Sequence, residues 1–180
     1  MAAQPPSPQP STSDELAPAD FQARWWTWAT QPSGTNPVSD TSGRYCMRDQ
    51  PVDVWLLAGS LGGGPVERQC RVPADKPLLA PAVNLASDIA SCEAFMKGAQ
   101  GEVLLDGSTQ TLTKVTATPF TFEARAGNPY GAQTGRVNSV GCGLYAWIPA
   151  PTSGEHELVI RGSGGGKEID VKYKLIVGAD

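Results

Sequence analysis

Turn-forming residues punctuate this sequence every 8–12 positions or so, roughly the spacing that leaves room for strands and not for long helices. Gly occurs 20 times and Pro 16 times among 180 residues, a combined share well above the usual one. A helical bundle or coiled coil cannot be assembled from segments so short. No apolar run reaches the ~18 residues of a transmembrane helix, so no membrane insertion is expected. The net charge of −4 argues against a nucleic-acid partner, because neutralising phosphates takes clustered Lys and Arg.

The segments between turns read as strands. VDVWLLAG (52–59) is almost continuously apolar, as a strand buried on both faces would be. VERQCRV (66–72) alternates, with Val66, Arg68, Cys70 and Val72 on one face. PLLAPAVNL (77–85) is interrupted by Pro81, so it should bend or lie at an edge. Asp106-Gly107 sits between apolar runs and signals a tight hairpin. TPFTFEAR alternates around Phe120 and Phe122, and GCGLYAWIP puts Leu144, Ala146 and Ile148 opposite Tyr145 and Trp147. The last hairpin pairs a strand carrying His156, Leu158 and Ile160 with one carrying Ile169, Val171, Tyr173, Leu175 and Val177 inward. Glu168, Asp170, Lys172 and Lys174 fall on its outer face.

Two short helices interrupt the strands. Pro18 and Asp20 suit a helix start, and Phe21, Trp25 and Trp28 share one face of a helix ending before Pro32, with Trp26 pointing elsewhere. Asp88 caps a second helix near 88–98, closed by Gly98. The fold class is therefore mainly β: a two-sheet antiparallel sandwich, jelly-roll-like or Ig-like, of about nine or ten strands. Residues 18–180 form its single domain. Residues 1–17, MAAQPPSPQPSTSDELA, lack bulky apolar groups and read as a disordered Pro/Gln/Ser-rich arm.

Four cysteines, Cys46, Cys70, Cys92 and Cys142, have no CxxC spacing, and a single histidine leaves no Cys/His zinc set. They read as two disulfides made in an oxidising compartment. Of three connectivities, Cys46–Cys70 with Cys92–Cys142 is favoured, because the first two lie in segments that look like adjacent strands. Residues 1–17 contain no Lys or Arg and no apolar core of a signal peptide. The chain is thus expected to be a mature form whose export signal has been removed.

The chemistry-bearing residues are sparse. A Ser-His-Asp triad would have to use His156, which reads better as a structural residue beside a turn; no GxSxG elbow occurs. GSLGGGP and GSGGGKE lack the P-loop spacing. Asn36, Ser39 and Asp40 offer oxygens but miss the EF-hand pattern, so neither metal nor cofactor is expected. Among the acids, Asp53, Glu102 and Glu123 are those that a sandwich could bring together as the carboxylate pair of a glycosidase. Trp26, Tyr145 and Trp147 are candidate sugar-stacking rings. Arg68, on an inward face, should be a structural brace paired with Asp40 or Asp53.

A longer pattern ties several of these residues together: Trp25-Trp26-x-Trp28, Asn36-Pro37-x-x-Asp40-x-x-Gly43-x-x-Cys46-x-x-x-Gln50, Val54-Trp55-x-Leu57-Ala58-Gly59, Arg68-x-Cys70-x-Val72-Pro73 and Pro81-x-x-Asn84. It resembles a group of secreted bacterial proteins labelled only "signal protein", over roughly residues 24–177. The resemblance implies export and transfers no catalytic residue. The leading expectation is a secreted, non-enzymatic binding or adaptor module for another extracellular protein or a surface glycan. A carbohydrate-active hydrolase or lyase using paired carboxylates is the alternative. An inhibitor of secreted hydrolases presenting loop 31–43 or 126–141 is a third. Oligomeric state has no signature in the sequence.

Overall fold

Pro18 opens helix α1 (Pro18–Ala29), with Asp20 in its first turn, where negative charge complements the helix dipole. The helix stops at Thr30, whose N–H and Oγ1 both donate to the Trp26 carbonyl, at 3.0 and 2.5 Å. The structure is a computed structural model that describes residues 15–178. The arm assigned to residues 1–17 therefore lies outside the described residues except for 15–17, where Leu16 packs beneath α1 and Glu15 accepts a hydrogen bond from Thr113.

Nine strands follow among the described residues: β1 (Trp55–Leu56), β2 (Val66–Val72), β3 (Leu78–Ser87), β4 (Gln100–Leu105), β5 (Ser108–Thr109), β6 (Leu112–Ala124), β7 (Gly135–Ile148), β8 (Gly154–Gly164) and β9 (Lys167–Val177). Helix α2 (Ile89–Gly98) joins β3 to β4, and Asp88 Oδ1 caps it by accepting from Ser91 N–H at 2.7 Å. One sheet has the order β1-β3-β7-β6, the other β2-β9-β8-β4-β5. Leu78, Ala146 and Ile148 from the first, with Leu57 just past β1, meet Cys70, Leu158, Ile160, Val171, Tyr173 and Leu175 from the second in one core. The alternation read in β7 and β9 is the alternation observed.

The fold is mainly β with two sheets, two helices and the disulfides Cys46–Cys70 and Cys92–Cys142. Both bridges are compatible with an extracellular location. The sheets are not wholly antiparallel, however. β1 pairs with β3 and β2 with β9 in parallel. Strand period reports which face is buried and not which strand lies alongside, so parallel edges built across long crossovers leave no mark in the pattern.

Helix α1 adds a third layer. Phe21, Trp25 and Trp28 pack with Leu56, Leu79, Val115 and Tyr145 on the outer face of the first sheet. Trp28 Nε1 donates to the Arg48 carbonyl at 2.9 Å and Trp25 Nε1 to that of Leu57 at 3.0 Å, so both indoles are satisfied. At one end, Phe95 and Cys92 of α2 pack with Val83 and Cys142. No helix among the described residues is long and apolar enough to cross a membrane.

Candidate functional site

Arg68 organises the region that can bind a ligand. Its β2 position turns it inward, and it is 3% exposed. A guanidinium cannot be buried without acceptors for its N–H groups. Here the acceptors are mostly main-chain oxygens: Nε donates to Asp40 O, Nη1 to Ala58 O and Gly59 O, and Nη2 to Val38 O, all at 2.8 Å. Nη1 also reaches the Tyr173 hydroxyl at 3.0 Å, which in turn accepts from Ala58 N–H. The brace expected at Arg68 is present, but its carboxylate partners are not. Asp40 contributes its carbonyl, its carboxylate being taken by Ser42 and Gly43. Burial alone would raise the Asp40 carboxyl, yet the Ser42 and Gly43 hydrogen bonds and the Arg68 charge hold it below the usual range. Asp53 instead pairs with Arg24 at 2.8 Å.

This clamp explains why VDVWLLAG supplies only two strand residues. Leu57 N–H still donates to Leu79 O, but Ala58 and Gly59 are drawn toward Arg68 and Tyr173. The segment stays buried, as its composition predicts, while leaving β3 early. β3 itself bends at a bulge between Pro81 and Val83, where the proline marks the irregularity. Among the described residues, β3 beyond Leu79 has a strand partner on its β7 side only.

A groove of about 700 Å3 runs along this unpartnered edge, with Pro81–Ala86 as its floor. Trp26 and Tyr130 form one wall, their rings edge-on at 5.0 Å. Ala94 and Phe95 of α2 form the other. Lys167 stands at the β8–β9 turn, its Nζ 5.8 Å from the centre of the Tyr130 ring. Among the described residues, no Asp or Glu lines the groove. Burial pushes the Tyr130 phenol well above its ordinary value, so it is a neutral donor.

The sequence-derived candidates fall elsewhere. Tyr145 is fully buried and Trp26 is 5% exposed; only Trp147 is half-buried. These three rings therefore present no common stacking platform, contrary to expectation. Period 2 did place Tyr145 and Trp147 on one face, but α1 covers it, with Phe21 4.9 Å from Tyr145. Trp26 has lost its exposure because the far flank of α1 is packed too, against Phe122 and Tyr130. Its indole N–H lies near the Tyr145 hydroxyl but outside hydrogen-bonding geometry.

The acids do not converge. Asp53 is held by Arg24, Glu102 by Arg161 at 3.1 Å, and Glu123 is exposed at the end of β6. His156 sits between two acceptors, with Nδ1 2.5 Å from Asp106 Oδ2 and Nε2 2.7 Å from the Thr152 carbonyl. Both ring nitrogens are thus engaged by neighbouring turn groups, with Thr152 Oγ1 also 3.3 Å from Nε2, and the hydrogen bond with Asp106 raises the ring above its ordinary value. Asn36 and Asp40 spend their side chains on neighbouring main-chain groups. No group of three or more His, Cys, Asp and Glu suited to a metal occurs among the described residues.

Comparison of the chain with family models, curated proteins and solved structures gives no match. The groove residues Ala94, Phe95, Tyr130 and Lys167 carried no functional signal in sequence. The nearest hint was Pro81, a break in an apolar run that contains no charged residue.

Proposed function

We propose that this chain is an exported, disulfide-bonded binding module, and that another extracellular protein seats in the groove between α1, α2 and β3. The observation that carries the reading is a concave site with apolar walls, a few polar groups and one cation beside an unpartnered strand edge, the usual anatomy of a recognition site. A protein partner is favoured over a glycan because Trp26 and Tyr145, two of the three rings that would stack sugars, are covered. Binding is favoured over hydrolysis by paired acids because no carboxylate lines the groove among the described residues.

The test blocks the groove without touching the core. Ala94 is exposed on α2 at the groove wall, so Ala94→Arg fills the site while the helix remains. Extracellular proteins retained by the immobilised wild-type chain should be lost by the folded variant. Equal retention by both, or retention of polysaccharide in place of protein, defeats the reading.

A further inference from the structure

We propose that the ligand of the groove is an extended peptide strand of the partner, which adds to the free edge of β3 and lays a carboxylate against Lys167. The proposal rests on the binding-module reading and names its ligand class. Trp55 and Leu57 N–H donate to Pro77 O and Leu79 O, so these β3 residues turn their main chain toward β1. The extra residue at the Pro81/Val83 bulge resets the alternation. Asn84 and Ala86 are then the residues that turn N–H and C=O to the open side, while β7 holds the opposite side through Ser87. Such an edge is a template for another strand.

Proteins usually protect edges with charge, and β3 carries none: LLAPAVNLAS has no Asp, Glu, Lys or Arg. What flanks this edge instead is the pair of walls from α1 and α2. An added strand would send alternate side chains to the Trp26–Tyr130 wall and to Phe95. Pro81–Val83 are buried and Asn84–Ala86 half-buried, so the open stretch accommodates about three residues, at about 3.3 Å each. Among the described residues, Lys167 makes no ion pair and no acid lines the groove to compete for it. The complementary group is therefore a carboxylate, on a side chain or at a C-terminus. A free aliphatic acid would satisfy the walls and Lys167 but not the main-chain groups of Asn84 and Ala86.

The test uses the full chain and random octapeptides built from Val, Ile, Phe, Thr, Asp and Glu. Peptides selected on the wild-type protein and rejected by Ala94→Arg are resynthesised with N-methyl groups on every second main-chain nitrogen, in both phases. One phase should weaken binding tenfold or more and the other by less than threefold, because only alternate N–H groups face β3. Ala86→Pro, which removes an open-side N–H, should weaken the parent peptide about tenfold, and Lys167→Glu should select against acidic peptides. The methylated peptides keep the test valid if Ala86→Pro fails to fold. Equal tolerance of both methylation phases overturns strand addition while leaving the groove a binding site. Failure to select any peptide, with octanoate bound instead, also overturns it. Binding unaffected by Ala94→Arg would defeat the groove reading itself.

Discussion

Asp106 does two things in the β4–β5 turn. With Gly107 it adopts the positive φ values, 49° and 80°, of a tight hairpin, and its carboxylate bonds both His156 Nδ1 and Glu157 N–H. The hydrogen bond to Asp106, with the Thr152 carbonyl second, raises His156 above its ordinary 6.5. The hydrogen bonds from His156 and Glu157 lower Asp106. A raised folded-state value contributes stability in full below the unfolded value and loses it as pH rises through the folded one; for the lowered carboxylate the contribution disappears as pH falls. The pair is thus intact between the two. His156 is the only histidine, so Asp106→Asn should flatten the decline in stability that sets in as pH rises above the ordinary histidine value of 6.5. Urea midpoints at each pH measure it; an unchanged slope would remove His156 from the account. The turn was legible because Asp-Gly chemistry is local. The His156 contact was not, since 50 residues separate the partners.

At the level of elements, the groove exists because β1 ends early, and β1 ends early because Arg68 and Tyr173 hold Ala58 and Gly59. Arg68→Met keeps much of the side-chain volume but leaves the carbonyls of Val38, Asp40, Ala58 and Gly59 without their donors. The expected loss is about 3–5 kcal/mol of stability, read from urea unfolding, with faster amide exchange at Ala58. A loss below about 1 kcal/mol would mean that water replaces the guanidinium. The inward face of β2 could be read from its alternation, but main-chain acceptors have no residue type and leave no motif. Pro81 likewise announced an irregularity without saying that the strand on its other side would depart. In α1 the Phe21–Trp25–Trp28 face was readable, whereas burial of Trp26 depends on the 128–132 turn folding back onto the helix.

Across the whole molecule, the two bridges tie a turn and helix α2 to the sheets: separations of 24 and 50 residues correspond to about 3.5 and about 4 kcal/mol of unfolded-chain entropy. Replacing Cys92 and Cys142 together with Ala should lower the urea-derived stability by about 4 kcal/mol, and replacing Cys46 and Cys70 by slightly less. Protein recovered from its native compartment should titrate no free thiol. A full complement of four thiols would contradict export. The Cys46–Cys70 pairing was favoured on adjacency of segments and is the one observed, although Cys46 belongs to a turn and not to a strand.

The sequence by itself determined the class of fold, the faces of β2, β6, β7 and β9, the Asp106-Gly107 turn, the Asp88 cap and the apolar face of α1. Each follows from forces that act within a few residues or from a periodicity that separates inside from outside. The parallel edges, the covering of Tyr145 by α1, the carbonyl cage around Arg68 and the open side of β3 were decided only in three dimensions. They depend on which surfaces meet, and surfaces meet through burial and main-chain hydrogen bonds that many sequences satisfy equally well.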